Sequence, residues 1–154
     1  MNEITRVCKA CGRDKPLTAY YRASQAASYY SHDCRACRST HKRSQYNSDP
    51  QYRALQVMYS IETLIKRKYP EAWTGSLAAA GAAHLLSATH CTYCGTPNNG
   101  TWTFSLDHHV PLALGGTHSL DNLRPCCEPC NRAKHDMPPA IFTQWMAELI
   151  QRHS

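Results

Sequence analysis

Four Cys-x-x-Cys pairs dictate what this chain can become: Cys8/Cys11, Cys34/Cys37, Cys91/Cys94 and Cys127/Cys130, with Cys126 left over. Two thiolates on one tight turn offer half of a tetrahedral zinc site, and a second pair completes it. The rival use of such cysteines, a disulfide framework, belongs to oxidising, secreted settings. The opening MNEITRVCKACGRDK holds no apolar run fit for a signal peptide, and no later stretch approaches the roughly 18 apolar residues of a membrane span. The expectation is a soluble chain in a reducing compartment, the cytoplasm, with two structural Zn2+ sites and no membrane partner.

Taken in order, the pairs close two four-cysteine sites: Cys8, Cys11, Cys34 and Cys37, then Cys91, Cys94, Cys127 and Cys130. Their inserts differ in length and share no pattern, so they are not repeats. At 154 residues, with 42% hydrophobic residues and only two Phe, the chain suits two small modules that each need a staple. Charge is spread unevenly. Residues 1–50 carry nine Lys and Arg against four Asp and Glu, residues 51–90 four against two, and residues 91–154 four against five. A positive excess gathered near the N-terminus leans toward an acidic partner such as nucleic acid.

Asp49-Pro50 has the form of an N-cap and first helical residue. Tyr52, Leu55, Met58, Tyr59, Leu64 and Ile65 then recur near helical spacing until Pro70 ends the run. This helix and the alanine-rich piece from Leu77 to Leu86 are read as linking helices over residues 49–88. They join an N-terminal four-cysteine module, 1–48, to a C-terminal domain, 89–154. Thr101 to Leu106 alternates, with Trp102, Phe104 and Leu106 on one face, so LDHHVPLALGG sits at the end of a half-buried strand. Gly115-Gly116 turns the chain toward a return strand near Asn122 to Pro125, and Glu128-Pro129 opens a helix that must stop before Pro138-Pro139. A final helix from about Pro139 to Arg152 carries Ile141, Phe142, Trp145, Met146, Leu149 and Ile150 on one stripe, expected to cover the core, with dimerisation as the alternative.

Read together, Cys91-x-x-Cys94, Asp107-His108, Val110-Pro111, Gly115-Gly116, Asn122-Leu123, Cys127-x-x-Cys130-Asn131 and Lys134 resemble the HNH endonucleases over about residues 85 to 137. The resemblance implies a small zinc-stapled α+β fold: a ββα-metal (His-Me finger) nuclease core flanked by helices, preceded here by the N-terminal four-cysteine module. It implies metal-dependent hydrolysis of DNA phosphodiester bonds, by nicking or by double-strand cutting, with one catalytic Mg2+ or Mn2+. By the same resemblance Asp107 binds that cation, His108 is the general base, Asn131 is the second protein ligand, and Asn122 braces the loop that holds the base.

The residue chemistry suits those roles. An imidazole accepts a proton near neutral pH without extreme tuning, and Asp and Asn supply hard oxygens for Mg2+ or Mn2+. Strand neighbours point to opposite faces, so Asp107 and His108 share a site only if the backbone departs from strand geometry there. His109 leaves a second register open, with His108 on the metal and His109 as base; the spacing to Val110-Pro111 favours Asp107 and His108. His118 reads as an exposed loop histidine. Asn131 and His135 are four apart on a helix, which makes His135 a further candidate ligand. Lys134, Arg132 and Arg124 are candidate phosphate contacts.

VCKACGRDKPLTAYYR with DCRACRSTHKR resembles the zinc-binding segments that precede HNH domains in some phage proteins. Arg35, Arg38, Lys42 and Arg43 would there hold phosphate without specifying sequence, and Tyr20, Tyr21, Tyr29 and Tyr30 would stack on bases or pack the knuckle. Family analogy alone admits a phage origin, with the host cytoplasm as location and phage packaging proteins as partners. Two alternatives stay open: a zinc-dependent DNA-binding protein without catalysis, and an RNA-specific or structure-specific nuclease on the same scaffold.

Overall fold

A computed structural model describes residues 4–22, 29–101 and 103–153. Trp102, expected on the alternating strand face, lies outside the described residues. The chain divides into two compact units, Met1–Asp49 and Pro50–Ser154.

In the first unit, strand β1 (Thr5–Val7) pairs antiparallel with β2 (Asp14–Pro16). The Cys8–Cys11 turn between them is closed by Gly12, whose φ of 67° is the left-handed conformation a Cβ disfavours. Helix α1 (Arg35–Ser48) starts directly after Cys34 and buries no side chain. The interior is correspondingly small. Cys8, Cys34 and Tyr20 are its buried residues, with Cys11, Cys37, Ala19 and Tyr30 packed around them. Tyr20 donates its hydroxyl to the Arg6 carbonyl at 2.7 Å and Tyr30 packs against the same cluster, so two of the four tyrosines pack the knuckle, while Tyr21 and Tyr29 stay about half exposed.

The second unit opens with helix α2 (Pro50–Lys68) and helix α3 (Ala78–Leu86). Ala54 and Met58 of α2, Ala78 and Ala82 of α3, and Leu106 and Leu123 of the sheet form one apolar cluster. Each fully buried aliphatic of Met or Leu size there is worth about 1.5–3 kcal/mol. Helices expected to link two modules thus pack into the second one. The buried stripe of α2 also differs from the expected one: Ala54, Met58, Glu62 and Ile65 face inward, whereas Tyr59 and Leu64 are exposed. Small residues let the helices approach closely, and Gly81 faces the Met58 side chain.

Strand β3 (Phe104–His108) pairs antiparallel with β4 (Leu123–Cys127), and helix α4 (Glu128–Lys134) follows at once. This is the expected hairpin-plus-helix. The strand starts later and runs further than expected, however, because Asp107 pairs with Arg124 and His108 with Leu123 inside the ladder. The return strand likewise begins one residue later, with Asn122 closing a short 3-10 turn from Leu120. A second cluster of Cys91, Cys126, Cys127, Cys130 and Phe142 fills the other side. Helix α5 (Pro139–His153) supplies Phe142 to it, but Ile141, Trp145, Leu149 and Ile150 remain exposed. Phe142 and, partly buried, Met146 are the stripe residues of α5 that pack on this core, a narrower contact than its apolar stripe suggests. No helix among the described residues is long and apolar enough to cross a membrane.

Candidate active site and zinc centres

Each unit gathers its four cysteines. The sulfurs of Cys8, Cys11, Cys34 and Cys37 lie within 4.8 Å of one another, and so do those of Cys91, Cys94, Cys127 and Cys130. None of them forms a disulfide. A tetrahedral zinc with Zn–S near 2.3 Å sets its sulfurs about 3.8 Å apart, and Cys94 Sγ stands 3.8 Å from Cys127 Sγ. The donor sets therefore fit Zn2+. At Cys8 a backbone amide favours the thiolate: the Cys34 N–H donates to Cys8 Sγ at 3.2 Å, the main cause of a Cys8 pKa lowered to about 6. Cys37, Cys127 and Cys130 are instead pushed up, Cys37 by its neighbouring cysteines and the other two by burial. Cys126 lies outside the cluster, and burial pushes its thiol up to about 12, which keeps it a neutral core residue.

The hairpin's strand period sorts the remaining polar groups onto two sides. Ser105 and Asp107 face α4, where Asn131 Nδ2 donates to Ser105 Oγ at 2.7 Å and Lys134 Nζ meets Asp107 Oδ2 at 2.8 Å. The Tyr93 hydroxyl donates to the same Asp107 oxygen at 2.5 Å, and burial above all, then that carboxylate, raises the Tyr93 pKa. Lys134 also donates to the His108 carbonyl at 2.9 Å and is fully buried. Expected at a phosphate, it instead neutralises Asp107, because a buried carboxylate without a partner would be expensive.

His108 takes the opposite side, so the expected break in strand geometry between Asp107 and His108 does not occur. Its Nε2 lies 3.1 Å from His118 Nδ1. Burial above all, then the His118 and Lys134 charges, lower the His108 pKa to about 4, with Asp107 opposing. His118 is not the exposed loop histidine expected; it is wholly buried, stacked on Trp73 and tied by its backbone to Ala72 and Thr74.

Even so, both sides open onto one cavity of about 410 Å3 at the end of the strand, lined among others by Asp107, His108, Asn131, Arg132 and His135. Asn131 holds Ser105 through its amide nitrogen, which leaves Oδ1 as the atom able to meet a cation. Among the described residues no third group of three His, Cys, Asp or Glu side chains converges as the cysteines do. A cation resting on Asp107 and Asn131 would complete its shell with water, as Mg2+ commonly does.

Loop 109–122 is built around Asn122. Its Oδ1 accepts the Val110 N–H at 2.8 Å, while its Nδ2 donates to the carbonyls of Val110 at 2.9 Å and Thr117 at 2.8 Å. Gly115 adopts φ 83°, and a Cβ on Gly116 would collide with the Val110 carbonyl, so the Gly-Gly step is dictated by this closure. The His109 N–H donates to the Asn122 carbonyl at 2.8 Å and its ring stacks on Tyr93.

Other expected contacts fare differently. Helix α4 ends at Lys134, and His135 follows with φ 46°; its N–H still donates to the Asn131 carbonyl at 3.0 Å and it lines the same cavity, while its ring pairs with Asp136 at 3.2 Å. Arg132 is exposed and pairs with Glu128 at 3.3 Å. Arg124 spends its guanidinium on the carbonyls of Asp121 and Leu123. In the first unit Arg35, Arg38, Lys42 and Arg43 all lie exposed on α1, and Arg35 and Arg38 sit over the Tyr21 ring. Four contributors, Glu62, Tyr93, Ser105 and His118, carried no signal in the sequence beyond residue type.

With this geometry in hand, residues 91–137 match the family model described as HNH endonuclease. The chain is 35% identical over 104 residues to the CRISPR-associated endonuclease Cas9 of Actinomyces naeslundii, an alignment covering 66% of this chain and 9% of that protein. It also superposes on a structure of the rare-cutting HNH restriction endonuclease PacI with a TM-score of 0.44 and 18% identity, covering 94% of this chain and 93% of the other. The segment 91–137 of this chain belongs to the HNH endonuclease family. Membership suggests a nuclease; the chain spans only about a tenth of the length of the Cas9 relative.

Proposed function

We propose that this chain is a metal-dependent endonuclease hydrolysing DNA phosphodiester bonds at the cavity of the second unit. The observation that carries the reading is that Asp107, His108 and Asn131 line one cavity. Asp107 and Asn131 are the residues that would hold Mg2+ or Mn2+, and the bound cation would supply positive charge beside the phosphate and the leaving oxygen. His108, uncharged at neutral pH, takes a proton from the attacking water as general base. Asn122 keeps the loop after His108 in one shape, and Lys134 clamps the backbone at His108 while holding Asp107. Arg132 and the α1 cations Arg35, Arg38, Lys42 and Arg43 contact phosphate, so the first unit tethers nucleic acid for the second to cut. Both four-cysteine clusters hold structural Zn2+.

One observation favours a rival. An ammonium group 2.8 Å from Asp107 already balances the carboxylate, which suits a DNA-binding protein that needs no catalytic cation. Supercoiled plasmid and a structured RNA, each incubated with the protein and Mg2+ or Mn2+, separate the readings. Nicked or linear plasmid that depends on the divalent ion is expected. Plasmid binding without cleavage in every metal would favour the rival, and cleavage confined to RNA would move the substrate.

A further inference from the structure

His108 does not face its cavity alone. Behind it stand two buried groups from distant parts of the chain: His118, wholly buried, and Glu62 of α2, 4% exposed. His108 Nε2 and His118 Nδ1 are 3.1 Å apart, and His118 Nε2 lies 4.0 Å from Glu62 Oε1 with no hydrogen-bond partner. Glu62 is itself held in place, accepting the Leu77 N–H at 2.6 Å and the Ser76 hydroxyl at 3.0 Å where α3 begins. The Trp73 ring stacks on His118 and its backbone is bonded on both sides, so this ring has little freedom to turn away.

The chain of contacts decides where protons sit. A neutral imidazole carries one proton, and the hydrogen bond made by one ring nitrogen sets the state of the other. If His118 carried its proton on Nδ1, the Nε2 lone pair would face the Glu62 carboxylate in a buried setting, which is repulsive. The carboxylate therefore favours the proton on His118 Nε2. His118 Nδ1 is then an acceptor, His108 must donate to it from Nε2, and the lone pair of His108 is left on Nδ1.

Building on the proposed nuclease reading, we propose that Glu62 and His118 are positioning residues that fix the tautomer and orientation of His108, so that Nδ1 is the atom that accepts the proton of the attacking water. Neither touches substrate. The bonds formed are Nδ1–H and the new P–O bond, and those broken are O–H of the water and the P–O bond to the leaving sugar oxygen, which departs as an alkoxide and takes a proton from solvent while His108 becomes the imidazolium. In a triad-like arrangement of this kind a third group holds the base in the productive tautomer.

The test combines tautomer and rate. Long-range proton–nitrogen correlation spectra of the full chain loaded with zinc should show His108 protonated at Nε2 and bare at Nδ1. Glu62→Gln, which keeps the shape and removes the charge, should give a mixture of the two forms. It should also lower kcat for plasmid nicking roughly 10-fold to 100-fold with KM unchanged, a smaller loss than the roughly 100-fold or more from removing the base. His118→Phe, lacking an acceptor, should lose as much or more. His118→Asn, whose Oδ1 can stand in for Nδ1, should recover most of the rate. Equal losses for Phe and Asn, or a wild-type His108 protonated at Nδ1, would overturn the proposal. If the wild type cuts nothing but shows the stated tautomer shifting in Glu62→Gln, the positioning pair stands and the nuclease reading falls.

Discussion

The two units solve the same problem with the same local device and then diverge. In both, a Cys-x-x-Cys turn is closed by a left-handed glycine, Gly12 or Gly95, and the second pair sits at a helix start, with Cys34 or Cys127 as N-cap and the fourth cysteine in the first turn. A helix N-terminus favours thiolate, so this placement prepares a metal site wherever it occurs. Around that device the first unit adds little: among the described residues its interior is cysteines, one buried tyrosine and their neighbours, and beyond Cys37 α1 packs no residue into that interior. The second unit adds an aliphatic cluster between α2, α3 and the hairpin, independent of its cysteines. One unit rests on its cysteines and little else; the other is also packed, and it is the packed one that brings an acid, an imidazole and an amide, Asp107, His108 and Asn131, to one cavity, whereas a cavity of the first is lined by Tyr21, Arg22, Arg38, Ser39 and Lys42.

Removing zinc should break this contrast most visibly. Elemental analysis is expected to give two zinc ions per chain. Chelation should unfold the first unit outright, since structural zinc supplies folding free energy directly, while amide exchange stays slow at Met58 and Ala82 in the second. Loss of protection in both units together would show that the aliphatic cluster does not stand by itself.

Next in size is the buried ion pair. Lys134→Met leaves Asp107 buried without its ammonium and should cost about 3–5 kcal/mol in urea unfolding. Added Mg2+ or Mn2+ should return part of that loss if Asp107 takes a cation. Met58→Ala should cost about 2–5 kcal/mol by opening a cavity in the aliphatic cluster. On α1, Arg43→Ala should change stability by less than about 0.5 kcal/mol but reduce the salt dependence of DNA binding by about one unit of slope. A stability loss at Arg43 comparable to that at Met58 would erase the distinction between the units.

What the sequence displayed followed the reach of each signal along the chain. Cysteine spacing, the Gly-Gly turn, the prolines flanking α4 and the order Asp107-His108, Asn122, Asn131 are local, and hairpin and helix appear where those signals stand. Partners joined only by folding were not readable. His118 reads as an exposed loop histidine, yet the Ala72–Thr74 segment and Glu62 of α2 stand against it, and Glu62 carries no sequence signal although α3 starts on its carboxylate. Lys134 carried the family's spacing, yet spacing says nothing of which way a lysine turns; in the fold it points inward to Asp107. The stripe on α5 was legible as a pattern, but its length exceeded the surface available to cover it.

The central claim is that His108 makes the nucleophile at a cation held by Asp107 and Asn131. Its most direct measurement is the rate of Mg2+- or Mn2+-dependent nicking of supercoiled plasmid by wild type and His108→Ala at equal zinc content. The account predicts a loss of roughly 100-fold or more in the variant, with folding and zinc unchanged. Nicking that persists at the wild-type rate in a fully zinc-loaded His108→Ala protein would contradict it.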